Sequence, residues 1–543
     1  MLRVIGFFFR SSWQVIVLAG VASALAAASN LYALKLLGEI VSNDQSELFV
    51  LLGYISLLII ASSVITLFNG KYVTKYFENK VANYRKELTE KSLLSKYDKI
   101  EKKLDKLVPI LLFETSVIGG FGKGIPDLLV AIFQSTVVLA YLFKLSWVLT
   151  ISFLPIFLVV TITNFVTLSW FKKIEKSISD GRFKLHFALD TLEKGFKDLI
   201  VNKKHSQSYI KHTIDEPNSE LVNLSVKNVY LRTLIDKSQN AFVIISLGFL
   251  LVYAMSTNAF GQNDLIEYMA LILYIRPSLN KIANFTKQVK GVENALEQVE
   301  SLDIDIKESR LRSEDSIDFD EGDTQPLINA SKATYAFGGT NSFKLDTIDF
   351  EIRKNEIVII NGSNGSGKST LFKLLIGLYT PQKGNIEFQG EVITKRNVQS
   401  YRRFFSCYFT DSPLFVDFRY LITEENKPRF EELIEYLGLK NKAALDENQN
   451  LVNINVSHGQ RGRLNLLRLL LEDREIYFLD EWAANQDIHF KEKFYNEIVP
   501  DLKKKGKTII LISHDDKFYS VADRVITLKN GKIDKITTTN EVA

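Results

Sequence analysis

Gly362-Ser363-Asn364-Gly365-Ser366-Gly367-Lys368-Ser369-Thr370 is the stretch on which the reading of this chain turns. It follows an apolar run, Ile357-Val358-Ile359-Ile360, and precedes an amphipathic one, Leu371-Phe372-Lys373-Leu374-Leu375. That pattern predicts strand, glycine loop and helix. Glycines let backbone N–H groups converge on phosphate oxygens, and the helix N-terminus adds partial positive charge. In such a loop Lys368 reaches the β- and γ-phosphates and the Ser369 hydroxyl binds Mg²⁺. A chance glycine-rich turn is the alternative, and the strand-to-helix context argues against it.

Two later stretches supply the chemistry that a phosphate cradle alone lacks. Glu475-Ile476-Tyr477-Phe478-Leu479-Asp480-Glu481 reads as an apolar strand ending in two carboxylates. Because side chains alternate along a strand, Asp480 can hold Mg²⁺ through water while Glu481 faces the γ-phosphate and polarises an attacking water. A further strand, Thr508 to Ile512, ends in Ser513-His514-Asp515-Asp516, from which His514 can bond the γ-phosphate; a solvated surface histidine is the plainer reading. Val456-Ser457-His458-Gly459-Gln460 precedes a helical run, with Ser457 as N-cap. Its helix N-terminus is a second anion site. One chain thus carries two phosphate-binding helix ends, most simply because they serve different copies, Lys368 of one facing Ser457 of another. Upstream, Ala333-Thr334-Tyr335-Ala336-Phe337 suggests a strand, with Phe337 able to stack on an adenine ring.

The 543 residues divide in kind as well as in length. An average of 46% hydrophobic residues conceals apolar crowding in the first 290 or so positions. Uncharged runs predict six membrane spans, at about 11–34, 48–70, 126–144, 145–171, 238–260 and 264–286, the last being weak. A cleaved signal peptide is the rival for the first, but that run is too long and continues into Lys35-Leu36-Leu37. Lys71 to Lys123 holds 12 Lys and Arg and Lys172 to Lys237 holds 13, whereas the opposite connections hold essentially Lys144 alone. By the positive-inside rule both long connections and both termini face the cytoplasm. Those connections read as helices continuing the spans, with far ends near Tyr97 to Lys106 and Asp198 to Ser208; solvated loop is the alternative. Within the spans Arg276, Gln134, Asn164, Asn30 and Lys35 are costly unless they line a polar path or bond between helices. We therefore expect a transmembrane domain at 1–305, a linker at 306–325 and a soluble nucleotide-binding domain at 326–543.

A formal net charge of +4 is small for this length and gives no argument for nucleic-acid binding. One cysteine, Cys407, excludes an internal disulfide framework.

Taken together these residues resemble an ABC transporter over nearly the whole chain: an α-helical six-span domain followed by an α/β P-loop nucleotide-binding domain. By that resemblance Gly362 to Thr370 is the Walker A loop, Val456 to Gln460 the signature, Tyr477 to Asp480 the Walker B strand, Glu481 the catalytic carboxylate, Asn485 to Asp487 the D-loop and His514 the switch histidine. ATP and Mg²⁺ are the implied ligands. The order of domains is similar to half-sized exporters that work as homodimers, with Ser457, Gly459 and Gln460 reaching the opposite subunit's ATP. Three places depart from the pattern. No Q-loop glutamine precedes Leu414-Phe415, leaving Thr410 or Asp411 to serve; His458 replaces the first signature glycine; and Asp480-Glu481-Trp482-Ala483-Ala484-Asn485-Gln486-Asp487 replaces the usual small-residue run. These choices are similar to the cyclic-peptide and siderophore exporter group, including syringomycin, pyoverdine and microcin exporters.

The resemblance implies a bacterial inner-membrane, multi-pass, ATP-driven exporter of a small peptide-like or siderophore-like molecule, with an outer-membrane channel as a conceivable partner. No cysteine precedes the first span and no extra domain fits there, which disfavours a built-in leader peptidase. The runner-up is a lipid or multidrug exporter. A nucleotide-dependent sensor or gate that does not pump is the reading from a different class.

Overall fold

The structure is a computed structural model and describes residues 2–42, 48–256, 262–302, 316–320, 322, 325–337, 343–440, 442–452 and 456–538. It divides into two compact units, Met1–Leu94 with Lys99–Ile304, and Ser95–Asp98 with Asp305–Ala543.

The first unit is helical. Its long helices are α1 (Leu2–Ser42), α2 (Leu48–Leu94), α3 (Ile125–Leu145), α4 (Trp147–Lys194), α5 (Glu216–Ser256) and α6 (Gln262–Ser301). The α2 helix runs 47 residues, roughly 70 Å at about 1.5 Å per residue. The break between α3 and α4 falls at Ser146 rather than around Lys144: the Ser146 backbone is extended and its Oγ accepts from Leu149 N at 3.3 Å, an N-cap that starts a new helix. Close helix approach rests on missing side chains. A Cβ on Gly122 would stand 2.4 Å from the Phe77 ring, and one on Gly119 2.5 Å from Val81.

Each expected span falls largely within one of these six helices. Among the described residues three segments are long and apolar enough to cross a membrane, Ser12–Ala33, Phe49–Leu94 and Leu104–Leu145. The sequence led us to expect six; the fourth, fifth and sixth include residues whose side chains are outside the described set.

The second unit is built on a six-stranded sheet. Strands β3 (Ile357–Gly362), β6 (Phe405–Tyr408), β9 (Ile476–Asp480), β10 (Thr508–Ile512), β11 (Arg524–Lys529) and β12 (Lys532–Thr538) lie in the order β12-β11-β3-β10-β9-β6. All neighbours are parallel except β11 and β12. A four-stranded sheet packs beside it, from β1 (Ile328–Ala336), β2 (Lys344–Ile352), β4 (Lys383–Phe388) and β5 (Glu391–Val392), and β7 (Ala444–Leu445) pairs with β8 (Leu451–Val452).

Near-continuous apolar runs are what a parallel strand covered on both faces requires. Side-chain alternation sorts them cleanly: Ile357, Ile359, Tyr477, Leu479, Ile509 and Leu511 enter one core. Val358, Ile360, Ile476, Phe478, Ile510 and Ile512 enter the other. Helix α7 (Lys368–Leu375) covers the second face, with Leu371, Phe372, Leu374 and Leu375 fully buried. The Phe372 ring stacks on Phe478 at 3.9 Å and on Phe409 at 4.8 Å between centroids. Such pairs add about 0.5–1.5 kcal/mol each beyond burial and tie α7 to the sheet edge bearing Asp480. Helix α8 (Lys427–Tyr436) and helix α9 (His458–Glu472) contribute to the first core through Phe430, Leu464 and Leu467.

Part of the expected linker is also packed. Ile317 is buried and its N–H donates to Ser400 Oγ at 2.8 Å, while Phe319 lies against Phe388 and Phe404. Residues 306–315 lie outside the described residues.

Burial, with the Glu472 charge behind it, pushes the Cys407 thiol up to about 12. At pH 8 this leaves on the order of a thousandfold less thiolate than a free cysteine. Iodoacetamide at pH 8 should therefore leave folded protein unmodified over the time in which urea-unfolded protein takes one label, as read by mass spectrometry.

Candidate active site

Three neighbouring strands bring the site together. In the parallel ladder Ile360 pairs with Ile512 and Ile512 with Asp480, so β3, β10 and β9 end at one level. Just past those ends stand the glycine loop, Ser513-His514 and Glu481.

The glycine loop has the geometry its sequence demands. Gly362, Gly365 and Gly367 have φ of +148°, +78° and +108°, the region that favours glycine. A Cβ on Gly362 would stand 2.3 Å from Leu528 O and 2.6 Å from Ser366 Oγ. Lys368 is buried, and its Nζ donates to Gly362 O at 2.9 Å and Ser363 O at 3.3 Å, within the curve of the loop. Ser363, Asn364 and Gly365 are exposed at its rim, as is Ser369 at the helix start, and Thr370 is half-buried beside it. Ser366 Oγ is buried without a hydrogen-bond partner. An orphaned hydroxyl beside converging backbone N–H groups fits a phosphate oxygen.

Asp480 ends β9 on the same face as Ile476 and Phe478, the face that α7 covers. Burial first, and the Glu481 charge second, push its carboxyl up to about 6, with Lys368 opposing them. A buried carboxylate so disfavoured fits a divalent cation, which Asp480 and the Ser369 hydroxyl would hold. Thr410, where the resemblance expects a glutamine, donates from Oγ1 to Asp480 O at 3.0 Å. Asp411 is exposed, and its charge adds to the upward push on Asp480.

Beyond β9 the chain turns sharply. Glu481 has φ +51°, a left-handed conformation costing roughly 1–2 kcal/mol for a non-glycine residue. The turn is held by Glu481 N donating to Ile512 O at 3.0 Å, and it sets Glu481 Oε1 3.2 Å from His514 Nε2. Ser513, next to that histidine, is fixed by a 2.7 Å bond with the Tyr495 hydroxyl. An exposed histidine beside a half-buried carboxylate is a pair that can orient a water and a phosphate oxygen together.

Ser457 lies on another helix end. It is exposed and caps α9 through a reciprocal capping box: Ser457 Oγ accepts from Gln460 N at 3.3 Å, and Ser457 N donates to Gln460 Oε1 at 2.9 Å. Trp482, noted in the sequence only as a departure, and Gln486, noted as a departure within the D-loop stretch, hold this end. Trp482 Nε1 donates to Gly462 O at 2.8 Å and Gln486 Nε2 to Gly459 O at 3.0 Å. The unusual Trp482 to Gln486 run was the signal available for them.

Phe337 is half-buried, edge-on to Tyr335 and Tyr379 with centroids 5.4 and 5.8 Å away. Residues 338–342 are outside the described set. Tyr97 also packs on Tyr379, at 5.9 Å, beneath Lys373 Nζ. In the helical unit Arg276 Nε donates to Asn240 Oδ1 at 2.9 Å, Gln134 Oε1 accepts from Ser278 at 2.9 Å and Asn30 Oδ1 accepts from Ser62 at 2.6 Å. The side chains of Asn164 and Lys35 lie outside the described residues.

Residues 345–484 match the ABC transporter family. SyrD of Pseudomonas syringae pv. syringae, an ATP-binding protein, is 43% identical over 199 residues, covering 36% of this chain and 35% of SyrD. MesD of Leuconostoc mesenteroides, a mesentericin-Y105 transport/processing ATP-binding protein, is 26% identical over 355 residues, 62% of this chain and 47% of MesD. The chain thus spans about a third to a half of those two relatives. A bacterial Atm1-family ABC exporter with ATP bound has the same fold: TM-score 0.78 at 14% identity, over 98% of this chain and 96% of the other. The match to the ABC transporter family model is confined to residues 345–484, and the chain as a whole shares the fold of that exporter structure.

Glu481→Gln removes the carboxylate paired with His514 and leaves the loop at Lys368 intact. Binding of a fluorescent ATP analogue should stay within about threefold of wild type while hydrolysis falls at least about a hundredfold. Hydrolysis near the wild-type rate would remove the catalytic assignment of Glu481.

Proposed function

We propose that this chain is one half of a homodimeric ATP-driven exporter of a bacterial inner membrane, with six spans per subunit and both termini in the cytoplasm. The observation that carries the ATPase part is the meeting of Lys368, Asp480 and the Glu481–His514 pair at three adjacent strand ends. The dimer is inferred from Ser457, whose exposed helix end answers to no partner role within that cluster and suits the phosphates of a second copy's ATP.

In this reading Lys368 and the loop amides hold the β- and γ-phosphates, and Phe337 stacks on the adenine. Ser369 and Asp480 would hold a magnesium ion, which when bound would supply positive charge toward the phosphoryl oxygens. Thr410 holds the backbone of Asp480, and Asp411 stands near enough to serve the same cation. Glu481 takes a proton from the attacking water and His514 fixes both Glu481 and the γ-phosphate oxygen. Ser457, Gly459 and Gln460 close the site from the partner, so ATP draws the two soluble domains together and hydrolysis lets them part. Cytosolic helix ends near Tyr97–Lys106 and Asp198–Ser208 pass that motion to the spans, where Arg276, Gln134, Asn164 and Asn30 line the path of a polar cargo.

The cargo is a small peptide-like or siderophore-like molecule, handed on to an outer-membrane channel where one exists. Support comes from the 43% identity to SyrD over 199 residues and from MesD, a transport protein named for mesentericin-Y105.

Inside-out vesicles carrying the protein should accumulate such a cargo only with ATP and Mg²⁺, and cargo should stimulate hydrolysis several-fold. Hydrolysis without accumulation would favour the gate; stimulation by lipids or hydrophobic drugs alone would favour the lipid or multidrug exporter.

A further inference from the structure

Glu481 and the start of α9 are joined inside one subunit by five residues. The turn at Glu481 delivers Trp482 directly, and residues Trp482–Asn485 form a short 3-10 turn lying along α9. Gly459 and Gly462 are three apart on one face of that helix, and their missing side chains let the turn lie against it. A Cβ on Gly462 would stand 2.7 Å from Gln486 Nε2, and one on Gly459 3.1 Å from Asn485 O. Into that groove the chain places two donors, the Trp482 indole N–H on Gly462 O and the Gln486 amide on Gly459 O. Arg463 closes the arrangement, donating from Nε to Gln486 Oε1 at 3.1 Å. Trp482 is buried at 2% exposure against Phe494 and Phe490, so its ring cannot swing away without opening the core.

We propose that Trp482 and Gln486 are positioning residues that tie the state of Glu481 in one composite ATP site to the presentation of Ser457 in the other. The proposal rests on the homodimer reading, in which Glu481 acts on its own subunit's ATP and Ser457 on the partner's. A shift of Glu481 on engaging water and γ-phosphate pulls on Trp482. Two hydrogen bonds then carry that pull to Gly459 and Gly462 at the start of α9, two and five residues from Ser457. Neither Trp482 nor Gln486 touches nucleotide.

The test uses full-length protein in nanodiscs and a double-mutant cycle. Trp482→Phe removes the indole donor and keeps an aromatic ring. Gln486→Glu removes the donor to Gly459 and keeps an acceptor for Arg463. Each is expected to lower turnover about tenfold, the loss of one well-aligned hydrogen bond. Affinity for a fluorescent ATP analogue and the melting temperature should stay near wild type. Ser457→Ala should then cost far less in the Trp482→Phe background than in wild type, because the same closure has already been lost. Gln486→Glu carries the same readouts should Trp482→Phe not fold. Turnover within twofold of wild type, or losses from Trp482→Phe and Ser457→Ala that simply multiply, would overturn the proposal. A silent Ser457→Ala by itself would overturn both the proposal and the homodimer reading beneath it, whereas multiplying losses leave the homodimer standing.

Discussion

Parallel pairing of β3, β10 and β9 is the constraint on which the rest depends. Every residue of β10 is buried, and its hydrogen bonds run to both neighbours, so the three strands cannot slip past one another without unmaking both ladders. Shifting such a strand by one residue would also send its apolar side chains to the opposite face. Because the register is locked, the glycine loop, His514 and the Asp480-Glu481 pair emerge at one edge. None of these groups could act alone: a glycine loop can cradle phosphate without polarising water, and a carboxylate at a strand end without a phosphate cradle would have nothing to act on.

Strain and desolvation concentrate where that edge does its chemistry. Asp480 is held buried beside a second carboxylate, which pushes its carboxyl up to about 6, and Glu481 is held left-handed. Both arrangements cost folding energy and persist because the surroundings over-determine them, through Thr410 on the Asp480 carbonyl and Ile512 on the Glu481 amide. Thr410, Trp482 and Gln486, three of the residues that depart from the ABC-transporter pattern the sequence resembles, stand on either side of this strained turn. Thr410 secures its beginning, and Trp482 and Gln486 secure the short 3-10 turn beyond it against α9.

Much of the soluble half was legible because its signals are local. Apolar runs at 357–360, 476–479 and 508–512 became β3, β9 and β10, and the glycine pattern became a loop with three positive φ angles. Ser457 reads as an N-cap, and the structure adds the reciprocal bond from Gln460 that completes a capping box. What the sequence could not show was pairing between distant residues. Thr410 with Asp480, Trp482 with Gly462 and Tyr495 with Ser513 are separated by 70, 20 and 18 positions, and no periodicity announces them. The helical half was legible in outline and less so in detail. Uncharged runs located the six long helices, but the break at Ser146 was set by a cap that a neighbouring lysine obscured. Arg276, Gln134 and Asn30 each have a hydrogen-bond partner on a different helix, which sequence spacing cannot disclose.

The central claim is that each ATP lies between Lys368 of one subunit and Ser457 of its twin, and mixing two inactive variants tests it directly. Lys368→Ala and Ser457→Ala proteins, each nearly inactive alone, are dissociated in detergent, pooled in equal amounts, re-paired and assayed for ATP hydrolysis. In a mixed pair one site carries both lesions and the other is wholly intact, so hydrolysis well above either parent is expected. If both groups served an ATP held within a single chain, every chain in the mixture would remain defective. Hydrolysis no greater than the parents' average, with mixed pairs shown to form, would contradict the claim.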